Sequence, residues 1–489
     1  MQGNRNNISE LMDPEPRPLV ELLRLAGPTV LQMASYTIMQ FIDTYLLARL
    51  GTLQAAAAAM SGLFAFSLMC FGIGVIQLVN TLVSQNYGRG EYRRCGTYLW
   101  QGVWFGLGFS VLLVPLMVYA SGMFRVMGHE PRLARMETIY LQIMLATTAV
   151  KMTSTSFGQF LLAINKPGIV FGAAAIGVGA NIAAAYPMIL GRWGMQSYGI
   201  AGAAWAQNIG VTVEALVLVV YALQPWIREK FNSFDWRLRL EPLRNLLAVG
   251  WPAGVQFVAD VLAWSMFSMV VMAQAGESAM AANMFTFRFM SVSFMPAIGI
   301  GTAITALVGR YIGMGRADLA VHRANLGFKV NLVYMLSCGL LLFFFRNQLM
   351  QLFTSEPDVL RTGAVLLVFA AVYQVADAMY VSYSGALRGA GDTFVPAVAT
   401  GVLNWSLSVG LGFVVARVLP QWGAIGPWVV ATLYGLILST FIYIRFRRGG
   451  WKRIDLERAS ASDRVTSKSP SPPPSPGVQG EGVRVAAES

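Results

Sequence analysis

The chain has 489 residues, of which 55% are hydrophobic and only 12% charged, with a mean hydropathy of +0.55. Soluble domains carry about 25% charged residues, so this composition excludes a soluble enzyme and describes a membrane protein. The net charge of +12 then reads as basic loops held on one side of a bilayer rather than as a nucleic-acid surface.

Residues 1–18 are polar, with Pro14, Pro16 and Pro18, and predict a disordered lead without a cleavable signal pattern, so that the first span itself directs insertion. Apolar runs follow near 19–48, 54–84, 94–120, 136–162, 168–190 and 196–223. After a basic connector at 224–242, six more fall near 243–273, 279–310, 322–345, 360–387, 394–417 and 422–446. At about 20 residues per span, these runs predict an all-α polytopic protein with twelve transmembrane helices. The tail, 447–489, turns polar and contains SKSPSPPPSPGVQGEG, which cannot build a core and predicts disorder. Counting Lys and Arg by loop places 26 on the side of the N-terminus and eight on the other, leaving Lys151 and Arg288 inside spans. The positive-inside rule therefore puts both termini in the cytoplasm.

The two sets of six runs resemble each other. Gly27-Pro28 with Gln32 recurs as Trp251-Pro252 with Gln256, 224 residues on. The stretch from Val83 to Gly90 recurs at Val308–Gly315, and Gly199–Gly202 at Gly423–Gly426. Six spans per copy is an even number, which predicts parallel repeats: a lobe at 19–223, a lobe at 243–446, and a substrate cavity between them. On this repeat Gly158 parallels Gly385, Asn165 parallels Asp392, and Lys151 falls close to Asp377.

Charges inside spans are few, and each is a functional candidate: Asp43, Lys151 and Glu214 in the first half, Asp260, Arg288 and Asp377 in the second. The carboxylates read either as coupling sites that bind H⁺ or Na⁺ or as structural ion pairs, with Glu214 a possible local partner of Lys151. Asp377 precedes a glycine-rich stretch, GALRGAGDT (385–393), which carries Arg388 and Asp392 and predicts the loop between two spans. Pro28 and Pro252 occupy matching spans as hinges or static kinks, and Pro296 with Gly299 and Gly301 suggests a break in the eighth span. The 25 methionines suit a pliable cavity or an ordinary core. The cysteines Cys70, Cys95 and Cys338 have no disulfide or metal spacing, and His129 and His322 are the sole histidines, so no metal, cofactor or His-based catalytic site is expected.

The opening span AGPTVLQMASYTIMQFIDTYLLARLG, the segment FMPAIGIGTAITALVGRYIGMGRADLA (294–320) and the motif GALRGAGDTFVP (385–396) resemble the multidrug and toxic compound extrusion (MATE) transporters over nearly all of 19–446. The resemblance implies two pseudo-symmetric six-helix lobes, inward- and outward-facing states, and export of cationic or amphiphilic compounds in exchange for H⁺ or Na⁺ from a bacterial inner membrane, by a monomer. Carried over residue by residue, it implies that Asp43 is a first-lobe cation or proton site with Asn181 beside it. Asp260 then stands at an acidic position where NorM-type members have glutamate, and Asp377 with Tyr373 forms a second-lobe site. Ala185 stands where DinF-type members place a partner aspartate. Arg288 departs from the NorM pattern; paired with Asp260 or Asp377, it would compete with a bound cation. A lipid-linked oligosaccharide flippase of the same superfamily is the nearest rival, supported by Lys151 and Arg288 alone. A membrane-embedded enzyme lacks any HExxH, P-loop or nucleophile–base pattern here.

Overall fold

In hydrocarbon every backbone N–H and C=O must be satisfied within the chain, which leaves helices as the spanning element for apolar runs of this length. The computed structural model describes residues 17–194, 196–454 and 456; the polar lead and nearly all of the proline-rich tail lie outside the described residues. Within these residues the chain is almost entirely helical and contains no strand.

The first half comprises α1 (Pro18–Ala48), α2 (Thr52–Ile76) continued past Gln77 by α3 (Leu78–Gly88), α4 (Tyr92–Val126), α5 (Pro131–Ala146) continued past Thr147 by α6 (Thr148–Ala163), α7 (Pro167–Leu190) and α8 (Gly199–Ala222). A short α9 (Pro225–Phe231) lies in the connector. The second half opens with α10 (Leu240–Met266), extended by a π turn at Phe267–Val271 and a 3-10 turn at Met272–Ala275, followed by α11 (Glu277–Gly313) and α12 (Ala317–Phe344). A short α13 (Arg346–Gln351) leads to α14 (Pro357–Ala390). Then α15 (Phe394–Leu403) joins α16 (Gly412–Val418) through a π segment, Asn404–Leu411, and α17 (Ile425–Arg447) closes the half.

Ten of these rods are long and apolar enough to cross a membrane. The other two expected spans, α1 and the α5–α6 pair, are the more polar ones: α1 carries Glu21, Arg24 and Asp43, and α5–α6 carries Arg132, Arg135, Glu137 and Lys151. Both belong to the first half.

The helix breaks are not where proline predicts them. Pro28, Pro252 and Pro296 all lie inside uninterrupted helices. In α1 the hydroxyl of Thr29 donates to the carbonyls of Leu25 (3.2 Å) and Ala26 (2.9 Å), engaging the turn that the proline disturbs. The interruptions fall instead at Gln77, at Thr147 and in the two π segments.

The stretch 385–393 is also not a loop: α14 runs on through Ala390, and only Gly391–Thr393 turn. Gly385 and Gly389 serve close packing, since a Cβ on either would lie 2.6 Å from the carbonyl oxygen of Gly301 or 2.5 Å from that of Thr305. Small residues allow this approach between membrane helices.

The turns that end α6 and α14 correct the register of the repeat. The left-handed residue is Asn165 (φ 64°) in one and Gly391 (φ 84°) in the other. Asn165 therefore matches Gly391 rather than Asp392, and the same shift of one residue places Lys151 on Asp377.

The repeat is visible where the halves touch, α1 and α3 packing on α11, and α2 on α10. A Cβ on Gly74 would lie 2.8 Å from the carbonyl oxygen of Ala253, and one on Gly299 would lie 2.9 Å from that of Thr29. Gly88 and Gly313 likewise receive the carbonyl oxygens of Arg310 and Gln85, each 2.1 Å from such a Cβ. Within each pair the glycines stand 225 residues apart, so both halves offer the same approach to each other. Leu22 and Leu25 of α1 join Ile304 and Leu307 of α11 in one buried core beside this seam. Past α17, Trp451 is buried and stacks on Phe446, so the chain remains packed beyond the expected edge of the tail.

Candidate coupling site and seal

In the second half, α10 supplies Asp260, whose carboxylate accepts from Asn404 Nδ2 at 3.0 Å. Asn404 is the first residue of the π segment, a local widening of the helix of the kind found at functional sites. One turn before Asp260, Gln256 Nε2 donates to the Tyr380 hydroxyl (2.9 Å) and to Thr400 (3.0 Å).

Asp377, buried on α14 one turn after Tyr373, lies within the electrostatic reach of Asp260, and both carboxylates act on Tyr373 and Tyr434. The Trp264 ring meets Tyr373 and Tyr434 edge-on, with centroids 5.9 and 6.2 Å away. Asp377 is buried and Asp260 half-buried; two carboxylates in each other's field cost energy when both are charged, a cost that a proton or a cation relieves. The sequence-expected trio Asp260, Asp377 and Tyr373 is thus brought together.

Arg288 is not part of it. Its side chain is exposed on α11 and has no acid, hydrogen-bond or ring partner among the described residues. The base whose field reaches Asp260 is Arg388, which also donates to Gln77 Oε1 of the first half at 2.9 Å. Sequence reading had Arg388 as a loop charge because it had ended the helix too early.

In the first half, Asn181 Nδ2 reaches Asp43 at 3.4 Å, a long contact, and one oxygen of each side chain is buried without a partner. Ala185, fully buried, adds no second carboxylate. Glu214 is held by the Tyr36 hydroxyl at 2.5 Å, and Gln32 donates to that same hydroxyl at 3.2 Å. Lys151 sits over the Tyr36 ring, 5.4 Å from its centroid. The expected Glu214–Lys151 contact is therefore not direct; Tyr36 stands between them.

A third cluster escaped sequence reading. Glu21, in the first turn of α1, accepts from Arg323 Nε (2.7 Å) and from the Tyr311 hydroxyl (2.9 Å), with Arg310 at 3.8 Å. Glu21 and Arg323 are both buried. Thr29 also donates to the Gly299 carbonyl, Thr81 to that of Arg388, and Gln85 to that of Gly389. These contacts all join the two halves at the same end of the bundle, the end where α1 begins and where α3 and α11 finish. Their partners lie roughly 270 to 310 residues apart in the chain, beyond the reach of any local pattern.

Two repeated helical halves, sealed together at one end and holding charged side chains in their cores, are the plan of a membrane transporter. The MatE family model matches residues 28–186 and 252–414, once in each half. The chain belongs to the MatE family, whose members are transporters and not enzymes, and it has that family's fold of twelve membrane helices in two six-helix lobes. It is 29% identical over 451 residues to a probable multidrug resistance protein NorM of Bradyrhizobium diazoefficiens, covering 88% of this chain and 93% of that one. It is 26% identical to the protein of the same description from Chromobacterium violaceum, covering 87% and 94%. Its fold is similar to that of the eukaryotic MATE transporter AtDTX14 (TM-score 0.80, 18% identity, 92% and 99% covered). It is equally similar to an outward-facing multidrug resistance MATE transporter of the MOP superfamily (TM-score 0.80, 19% identity, 89% and 97% covered).

Proposed function

We propose that this multidrug efflux transporter is a secondary antiporter of the bacterial inner membrane that exports amphiphilic small molecules in exchange for H⁺ or Na⁺ bound at Asp260 and Asp377. The observation that carries the reading is the pair of carboxylates within each other's electrostatic reach in the second half, with amide and phenol donors around Asp260 and Arg388 linking it to the seam.

The sealed end holds the basic loops and is the cytoplasmic end, so both termini are cytoplasmic and this conformation opens outward. Filling the pocket with a cation alters the charge facing Arg388, whose bond to Gln77 helps hold that end closed. Substrate and coupling ion then need only differential affinity for the two states to exchange.

The MOP-superfamily flippase reading requires a cluster of cations in the cavity. Arg288 stands alone there, and Lys151 is engaged by Tyr36. Dye efflux from everted vesicles, with Na⁺ and pH gradients imposed separately, tests the proposal: efflux follows one imposed gradient and collapses with it. Efflux that persists without any cation gradient contradicts it.

A further inference from the structure

α11 has two faces in its outer half. Thr286, Met290 and Ser293 are buried against the second half's own helices, Ser293 accepting from Gln374 of α14. On the opposite side Met284 and Val292 are exposed, and Arg288 lies between them.

The direction of that open face follows from helix geometry. Arg288 and Gly299 are eleven residues apart, close to three full turns, so they share a face about 16 Å apart along the axis. At Gly299 this face is pressed on the backbone of Thr29 in α1. At Arg288 it meets nothing, so the halves have parted and Arg288 faces the gap between them. On the other wall, eleven residues beyond Thr29, Gln40 is likewise exposed, as are Phe41 and Thr44.

The charge balance of this gap is simple. Over 30–48, 52–76, 255–272 and 278–299, the four helix stretches that flank it, the charged side chains are Asp43, Asp260 and Arg288. The two acids are tied by Asn181 and Asn404 to their own halves. A bare guanidinium at bilayer depth costs several kcal/mol against lipid, so Arg288 requires water or an anion.

We infer that Arg288 reads the substrate: the cleft between the halves, open outward in this state, fits amphiphiles that carry an anionic group, a carboxylate, sulfonate or phosphate, against an apolar wall of Met284, Val292 and Phe41. This rests on the export reading and specifies its substrate class. The guanidinium offers a forked pair of donors suited to such a group, while the apolar wall suits an aromatic or aliphatic body.

The test is efflux of two fluorescent probes from the same everted vesicles, anionic 8-anilinonaphthalene-1-sulfonate and cationic ethidium, by the wild type, Arg288→Gln and Arg288→Lys. The wild type exports the sulfonate. In Arg288→Gln the ratio of sulfonate to ethidium efflux falls about tenfold, the loss expected for one charge-assisted contact, and Arg288→Lys restores most of it. An unchanged ratio in Arg288→Gln, or a wild type that moves ethidium but no sulfonate, overturns the inference and leaves the export reading standing. Movement of neither probe under either gradient overturns both.

Discussion

The two halves of the molecule share a backbone plan and differ in what they bury. Gln32 matches Gln256, and each donates to a tyrosine hydroxyl, that of Tyr36 in the first half and that of Tyr380 in the second. One turn further on, the first half has Tyr36 where the second has Asp260, and Lys151 stands where the second half has Asp377. The first half thus replaces two carboxylates by a phenol and an ammonium, and adds Glu214 to the same cluster. Within that cluster Glu214 and Lys151 carry opposite charges, while Asp43 keeps one buried oxygen without a partner. In the second half Asp260 and Asp377 lie in each other's field, and Arg388 reaches Asp260. Where the halves touch, by contrast, they remain alike, with matched glycines on both sides. On the proposed reading, coupling belongs to the second half and support to the first, across a seam that both share.

Four substitutions would break or sharpen this contrast. The largest effect is expected at the seam. Glu21→Gln strands Arg323 in a buried site, and removing one member of a buried pair costs about 3–5 kcal/mol. The expected result is a clear fall in melting temperature in detergent, together with new labelling of a cysteine placed at Thr81 by an impermeant reagent from the cytoplasmic side.

Next is Tyr36→Phe, which removes the hydroxyl holding Glu214 and should cost about 1–3 kcal/mol. Melting temperature is expected to fall while the Na⁺ and pH dependence of efflux stays as in the wild type. A changed ion dependence would move coupling into the first half.

The smallest effect separates the two asparagines. Asn404→Ala removes a 3.0 Å bond to Asp260, and a loss of about 1 kcal/mol should shift the cation concentration for half-maximal efflux about fivefold. Asn181→Ala, which loses a contact of 3.4 Å, should shift it less.

The helical runs, their number and the twofold repeat were legible because lipid demands long apolar helices, and because Asp43, Asp260 and Asp377 stand out against them. Asp260 and Asp377, expected to share a site, lie within each other's electrostatic reach. What failed has a common cause: the linear pattern does not say which way a side chain points. Gly385 and Gly389 look like the end of a helix, yet they are places where another backbone comes close. Arg288 looked like a partner for the nearby acids but lies on the opposite face of its helix from its own half's core. Arg388, read as a loop charge, lies instead on the uninterrupted helix, where its field reaches Asp260 and it donates to Gln77. Pro296 suggested a break, but the helix around it is packed on several sides and stays whole. Glu21 gave no sign of its partners, since they come from the other half.

The most direct test of the central claim is binding of the coupling cation to the purified protein, measured as radiolabelled sodium uptake and as proton release on substrate addition. The wild type and the Lys151→Met/Glu214→Gln variant should bind it alike, while Asp260→Asn/Asp377→Asn should lose it. Cation binding that survives in Asp260→Asn/Asp377→Asn, or that disappears in Lys151→Met/Glu214→Gln, would contradict the assignment of coupling to the second half.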